Sequence, residues 1–323
     1  MINPQAVRAL CIALLMPFAS WAQQSYPAKP VNLVLTVPAG GSVDAVARML
    51  AADLGEALGQ PVLVHNRAGA GGNIAAEHVA NAAADGYTLL MLSSSTFTLN
   101  PFVYKSLAFD PEKSFAPVAM PARLNMILVA HSKHNVATFE QLVGLLKAQP
   151  GRLNYGSSGN GTLPHLAGVL LGMQTGTSAN HVPYKGIAPA TNDLIAGHID
   201  FMFDSATTIP HIRAGKVRAL AVIGPKRLAS LPEVATFKEL GLPEMETASG
   251  WYGIFAPAGT PPGIIRHLNQ EMVRIMRQPS VVDKVAAMGL ESASATPEEV
   301  AAALRNDLRR FAPVVKHAQV TPQ

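Results

Sequence analysis

VNLVLTV (31–37) is a run of β-branched and aliphatic residues that stops at Pro38-Ala39-Gly40-Gly41 and gives way, at Ser42, to apolar residues spaced by three and four. The run predicts a strand. The spacing of Ala45, Val46, Met49, Leu50, Leu54 and Leu58 predicts a helix over 42–58 with those residues on its buried face and Ser42 as its N-cap. The two together read as a βα unit, and the pattern recurs outward from it.

A strand over 62–65 is followed by the glycine turn Gly69-Ala70-Gly71-Gly72 and a helix over 73–81. The turn Asp85-Gly86 then leads into a strand over 88–92. Further strands are expected over 127–130, 153–155, 181–183, 200–203 and 219–222, with helices over 138–148, 163–172, 188–196 and 209–214 between or beside them. Strands alternating with helices imply an α/β protein with parallel sheets and helices on both faces. The last third is more helical: 261–276 carries apolar residues at helical spacing, and Thr296-Pro297-Glu298-Glu299 opens a final helix with a capping box and a proline in its first turn.

At 323 residues the chain is long enough for two domains, and its 49% hydrophobic and 14% charged composition fits neither a disordered chain nor a coiled coil. The formal charge of +4 is scattered, with no clustered basic stripe, so nucleic-acid binding is not expected. Residues 1–22 read as a leader: Arg8, an apolar run over 9–19, then Ser20-Trp21-Ala22, which suits cleavage after Ala22 and export to the periplasm. That run is shorter than the roughly 20 residues needed to cross a bilayer. The leader takes with it Cys11, the single cysteine of the sequence, so no disulfide, thiolate or cysteine metal site is expected in the mature chain.

Two segments, 117–125 and 248–251, read as irregular chain flanked by proline or glycine. If both are crossings between lobes, residues 23–124 and 249–323 form one lobe and 125–248 the other, with a hinge that lets them rotate about a shared cleft.

The motifs of common chemistries are missing. Gly69-Ala70-Gly71-Gly72-Asn73-Ile74 lacks the third glycine of a dinucleotide fingerprint, and Gly156-Ser157-Ser158-Gly159-Asn160-Gly161 is not followed by the Lys-Ser/Thr of a phosphate loop. The same serine loop misses a nucleophile elbow because Asn160 stands where the final glycine belongs. The ten histidines are dispersed, with no H-E-x-x-H, so neither a metal nor a cofactor is expected. What remains is a set of loops at the carboxyl ends of expected strands, where open α/β sheets bind ligands. They are Ala39, Gly40, Gly41 and Ser42; Ser93, Ser94 and Ser95; Ser158, Gly159, Asn160, Gly161 and Thr162; Tyr184 with Lys185 and Gly186; and Asp204 with Ser205. Glycine-rich backbone and hydroxyls ahead of a helix suit an anion such as a carboxylate. Lys185 is either an attractor for that anion or a solvated side chain; Asp204 would repel a carboxylate and so accepts from a hydroxyl or amine, holds a water or caps the next helix.

At these residues the sequence closely resembles the Bug, or TctC-type, family of extracytoplasmic substrate-binding proteins of tripartite tricarboxylate transporters. The resemblance is carried by Tyr26-Pro27-Ala28-Lys29-Pro30, Gly40-Gly41-Ser42-Val43-Asp44, Asn66-Arg67-Ala68-Gly69-Ala70-Gly71-Gly72 and Asp85-Gly86-Tyr87-Thr88. His181-Val182-Pro183-Tyr184-Lys185-Gly186, Ile212-Arg213-Ala214-Gly215-Lys216-Val217-Arg218 and Ala256-Pro257-Ala258-Gly259-Thr260-Pro261 complete it, in the family's order. It implies a two-lobed type II periplasmic-binding fold with an interlobe cleft. By position, ligand contacts fall at Ala39 to Ser42 and Ser93 to Ser95 in one lobe, and at Ser158 to Thr162, Tyr184 and Asp204 in the other. The sequence departs from the family at Pro38-Ala39, where an aromatic residue is common, and at Ala68, where proline is common. The expectation is a monomeric, non-enzymatic binding protein that captures a small organic carboxylate and presents it transiently to membrane components of a secondary transporter. The alternatives are a periplasmic sensor that delivers its liganded form to a signalling receptor, and a secreted hydrolase.

Overall fold

The computed structural model describes residues 26–204 and 208–318; the expected leader and Ser205 lie outside the described residues. The first part of the chain forms β1 (Val31–Leu35), α1 (Ser42–Leu58), β2 (Val62–Asn66), α2 (Asn73–Ala80), β3 (Thr88–Ser93), the short α3 (Ser95–Thr98) and α4 (Asn100–Val103), and β4 (Phe115–Leu124). Next come β5 (Met126–His131), α5 (Phe139–Ala148), β6 (Asn154–Ser157), α6 (Leu163–Thr175), β7 (Asn180–Pro183), α7 (Ile187–Ala196), β8 (Phe201–Asp204), α8 (Ile209–Arg213) and β9 (Val217–Ile223). The chain ends with β10 (Gly250–Pro257), α9 (Pro262–Met276), α10 (Pro279–Ala287), β11 (Leu290–Ser292) and α11 (Pro297–His317).

Two sheets result, ordered β11-β4-β10-β3-β1-β2 and β7-β6-β8-β5-β9. Both are α/β sheets sandwiched by helices, as the alternation predicts. In β1, Val31, Leu33 and Leu35 pack with Val46, Leu50 and Leu54 of α1 and with Leu268 and Met272 of α9. Val34, pointing the other way, joins Ala75, Ala76 and Val79 of α2 and Leu304 of α11. A strand covered on both faces is why VNLVLTV reads as a nearly continuous apolar run. Each fully buried Val or Leu contributes about 1.5–3 kcal/mol through removal from water, so this doubly covered strand anchors its side of the sheet. In the second sheet, Leu128, Tyr155, Phe201 and Phe203 face α5 and α6, while Ile127, Val129 and Met202 face α7.

Three expectations need correction. The sheets are mixed, not parallel: β10 runs antiparallel to β3 and β4, and β5 runs antiparallel to β8 and β9. The chain leaves the first sheet along β4 and re-enters it along β10, and two neighbouring strands that carry it out and back must oppose each other. Second, 117–124 is strand, paired with β10 from Leu124↔Gly250 to Phe115↔Pro257 with register shifts opposite Tyr252–Phe255. Pro117 and Pro121 suggested a break, but β11 covers only residues 122–124 of β4, so the strand is an edge over the rest of its length and tolerates proline there. Third, the buried face of α1 is rotated from the expected one: Val43, Asp44, Ala47 and Ala51 are buried with Val46, Leu50 and Leu54, while Ala45, Met49 and Leu58 are only half-buried. The Thr296–Glu299 capping box is present as expected.

The two sheets meet where Asn125 joins β4 to β5 and where Ser249 leads into β10. α11 braces this joint. Its 21 residues span roughly 30 Å; Val300 and Leu304 pack in the first sheet's core, whereas Phe311, Val314 and Val315 join the second sheet's. Midway, the Trp251 indole N–H of β10 donates to Asp307 Oδ2 at 2.8 Å. Among the described residues, no helix is long and apolar enough to cross a membrane.

Burial pushes the Asp307 carboxyl up to about 6, and the Trp251 N–H, Arg310 and Arg123 only partly offset it. A raised carboxyl stabilises the fold below its unfolded pKa and loses that contribution as pH rises through about 6. Asp307→Asn, which keeps an acceptor for Trp251, is expected to be more stable than the native chain at pH 7.5 by about 1 kcal/mol, discounted because the side chain is half-buried. The advantage should vanish at pH 4. Urea unfolding at the two pH values measures it, and an advantage that does not change with pH counts against this account.

Candidate functional site

Strand direction alone brings the expected loops together. β4 is parallel to β3 and β1, through antiparallel β10, so the carboxyl ends of all three point to the joint where β4 ends. β5 starts at that joint, β8 runs antiparallel to it, and β6 and β7 are parallel to β8, so their carboxyl ends point back to the same joint. The two carboxyl edges therefore oppose each other. Ala39–Ser42 and Ser93–Ser95 lie on one edge; Ser158–Thr162, Tyr184 and Asp204 lie on the other. Contact across the joint is direct: a Cβ added to Gly250, at the start of β10, would lie 2.9 Å from Leu163 Cδ1, at the start of α6.

On the first edge, the 39–42 loop is exposed and held from below. Asp44 accepts from the Gly40 N–H and Arg48 Nε on Oδ2, and from Asn66 Nδ2 on Oδ1, each at 3.0 Å. The Arg48 and Asn66 hydrogen bonds and the Gly40 amide hold the Asp44 carboxyl down at about 2, against its burial. Ser42 does not cap α1 as expected. Gly41 is the N-cap, with no side-chain cap bond, and the Ser42 hydroxyl instead lies 2.6 Å from the Tyr252 hydroxyl of β10. α1 therefore starts without a side-chain cap, and such a helix start is a favourable place for negative charge. Ser94 is buried and bonded to β10: its N–H donates to Trp251 O, and its hydroxyl accepts from Trp251 N–H. The flanking Ser95 hydroxyl donates to Ser93 Oγ at 3.3 Å.

On the second edge, the loop after β6 turns on Gly159 and Gly161, whose φ values of 134° and 72° belong to glycine. The Thr162 hydroxyl donates to Gly159 O at 2.7 Å, and the Gly159 N–H donates to Ser157 Oγ at 3.1 Å. Ser158 is half-buried and Asn160 exposed. The Tyr184 hydroxyl donates to Asp193 Oδ2 at 2.7 Å; burial first, and then Asp193, push that phenol up to about 12. Asp204 is 1% exposed and accepts from the Thr191 hydroxyl at 3.4 Å. Lys185 is exposed and is the one cation of the expected loops.

Several residues in this framework are not among the expected ligand contacts. Asp44 and Arg48 meet one helical turn apart on α1, and Asn66 reaches them because β1 and β2 pair in parallel. Under the 157–162 loop, His165 and His181 stack with centroids 3.9 Å apart and planes 8° apart. They are two of the histidines that read as dispersed.

The arrangement is matched in known proteins. The family model described as the tripartite tricarboxylate transporter family receptor, TctC, matches residues 46–320. Protein BugT of Bordetella pertussis is 36% identical over 313 residues, 96% of each chain. A solved structure of an R. palustris protein with adipate is 33% identical with a TM-score of 0.76, covering 92% of this chain and 100% of that one. The structure of MatC from Rhodopseudomonas palustris, with bound malate, is 31% identical with a TM-score of 0.71, covering 90% and 100%.

Asp44→Ala removes three hydrogen bonds, one from the Gly40 amide of the 39–42 loop and two from Arg48 and Asn66, and is expected to lower stability at pH 7 by about 2 kcal/mol, the typical range for bonds to a charged group. Because the folded carboxyl sits at about 2, below its ordinary 3.8, this contribution is present above about pH 4 and lost as pH falls toward 2. The gap between the urea midpoints of the two proteins should therefore narrow to about half its pH 7 value at pH 3. Equal midpoints at pH 7 contradict the role given to Asp44.

Proposed function

The chain belongs to the tripartite tricarboxylate transporter receptor family of periplasmic solute-binding proteins, and on that premise we propose that it captures a small organic carboxylate between the two opposed carboxyl edges. It then presents this cargo to membrane components of a secondary transporter. The observation that carries the reading is the meeting of the two edges at a double crossing. Residues 23–124 and 249–323 act as one lobe and 125–248 as the other, with Asn125 and Ser249 as the hinge points. The leader at 1–22 is removed on export, and the mature chain acts as a monomer.

The anion is held by amides at the starts of α1 and α6 and by the hydroxyls of Ser42, Ser93 and Ser158, with bridging water where the reach is long, while the Ser95 and Thr162 hydroxyls brace their own loops. The expected loops contain no arginine, so no guanidinium fork grips the ligand.

The hydrolase alternative draws on one feature, the 2.6 Å approach of Ser157 Oγ to His181 Nε2. A nucleophile needs access to substrate and a base able to take its proton. Ser157 is 0% exposed and bonded to the Gly159 backbone, and burial followed by His165 pushes His181 down to about 4. The pair is structural, and it gives the hydrolase alternative no support.

A thermal-shift screen of carboxylates that includes adipate and malate tests the reading. With a micromolar Kd, about −8 kcal/mol, a ligand at a hundred times that concentration adds about 2.7 kcal/mol to the native state. At least one acid should raise Tm, and Ser158→Ala should weaken its binding about tenfold with no turnover in either protein. A screen in which no acid stabilises the chain sinks the proposal.

A further inference from the structure

The 157–162 loop turns on two glycines and is held by bonds within it and by side chains placed beneath it. The Gly161 N–H donates to His165 Nδ1 at 3.0 Å, and Ser157 Oγ lies 2.6 Å from His181 Nε2. The two imidazoles are stacked almost parallel. Tyr155 lies against His181 at 5.0 Å, Phe201 stacks on Tyr155, and a Cβ at Gly168 would overlap the Tyr155 ring, so the pair has no room to part sideways. We propose that His165 and His181 are positioning residues for this loop: as a neutral stacked pair they fix Gly161 and Ser157, and the loop keeps its ligand-ready shape only while both rings are uncharged. The link to cargo rests on the carboxylate reading of the loop; the hold on the loop does not.

The bond from Gly161 places the proton of His165 on Nε2 and leaves Nδ1 as a bare acceptor. A second proton would set an N–H against the Gly161 N–H at 3.0 Å, two donors facing each other. Charging His181 puts a cation on the face of the neighbouring imidazole, and charging both puts two cations 3.9 Å apart. The groups around the rings offer no compensation. From β6 come Tyr155, whose hydroxyl donates to the His165 backbone carbonyl, and neutral Ser157; from β7 comes His181; from α6 comes His165. Burial pushes His165 down, and burial followed by the His165 charge pushes His181 down to about 4; no carboxylate contributes to either.

The sign follows from linkage. A loop opening that hydrates His181 returns it to its ordinary 6.5, so the open form binds the extra proton more readily than the closed one. The hold is complete above about pH 6.5 and weakens as pH falls toward 4, with the open population rising about tenfold by pH 5.5.

Amide hydrogen exchange on the unliganded protein, corrected for the intrinsic rate, reads this directly by comparing residues 157–166 with residues 139–148 of α5. Native protection over 157–166 should fall about tenfold from pH 7.5 to 5.5 while α5 holds. In the double variant His165→Asn, His181→Gln, amides that do not titrate replace the two ring nitrogens, and protection should be the same at both pH values. His165→Leu, without an acceptor for Gly161, should already be about tenfold less protected at pH 7.5, and it decides the matter alongside the native chain if the double variant does not fold. Native protection that is equal at the two pH values, or a double variant that loses as much as the native chain, overturns the proposal. Calorimetric titration with adipate and malate at pH 7.5 keeps the two readings apart: if neither acid binds while exchange behaves as expected, the carboxylate assignment fails and the positioning of the loop stands.

Discussion

The antiparallel ladder between β4 and β10 is the constraint from which the rest of the architecture follows. It ties the outgoing and returning crossings into one pair of strands, held from Leu124↔Gly250 to Phe115↔Pro257. Once that pair is formed, the direction of every other strand relative to the joint is settled by pairing, and both carboxyl edges have to face it. The Trp251 backbone, bonded in both directions to Ser94, continues the same ladder into the loop after β3. Tyr252, the next residue, reaches the Ser42 hydroxyl at the start of α1. A single strand thus positions two of the candidate loops, and its own side chains anchor α11 through Asp307.

A second pattern concerns where charge is spent. The carboxylates near the candidate loops are committed to the framework: Asp44 to the Gly40 amide, Arg48 and Asn66, and Asp193 to the Tyr184 hydroxyl. Arg48 is bound in turn to Asp44 and Asn66. Apart from Lys185 and Asp204, the candidate loops are uncharged, built of helix starts and of serine and threonine hydroxyls. Fixed dipoles of this kind attract an anion without the desolvation cost that a buried cation would carry. They also leave room for water to complete the contacts, which suits cargo that must later be released.

The sequence made the sandwiched strands and the glycine loops legible because both obey local rules: a strand covered on two faces is apolar throughout, and a turn that needs positive φ needs glycine. Thr88–Ser93 and Phe201–Asp204 were readable on the same ground. β4 and β10 were not. Pro117 and Pro121 mask the first, and whether proline breaks a strand depends on which neighbours that strand has, a tertiary fact. The second is buried at every position, so it shows no alternation, and Gly250 and Gly253 look like loop. Ser42 looked like a cap because caps are read from residue type, yet its hydroxyl had a partner 210 residues away. The candidate loops were visible one at a time; their opposition across a joint required the sheet order.

The histidine pair shows the same limit from the side of chemistry. His165 and His181 are 16 residues apart on a helix and a strand, with no spacing rule to join them. They meet because β6 and β7 pair in the register Tyr155↔His181, which sets one ring beside Tyr155, while α6 begins directly after the loop and sets the other above it. The loop that precedes α6 has two glycines in left-handed geometry and so little intrinsic stiffness. A flexible turn can serve as a fixed set of donors only if something rigid stands beneath it, and two flat rings locked between a strand and a helix meet that need. Burial of both rings, and the use of His165 as an acceptor for Gly161, explain why they are neutral, and their neutrality in turn keeps a permanent positive charge from beneath the loop.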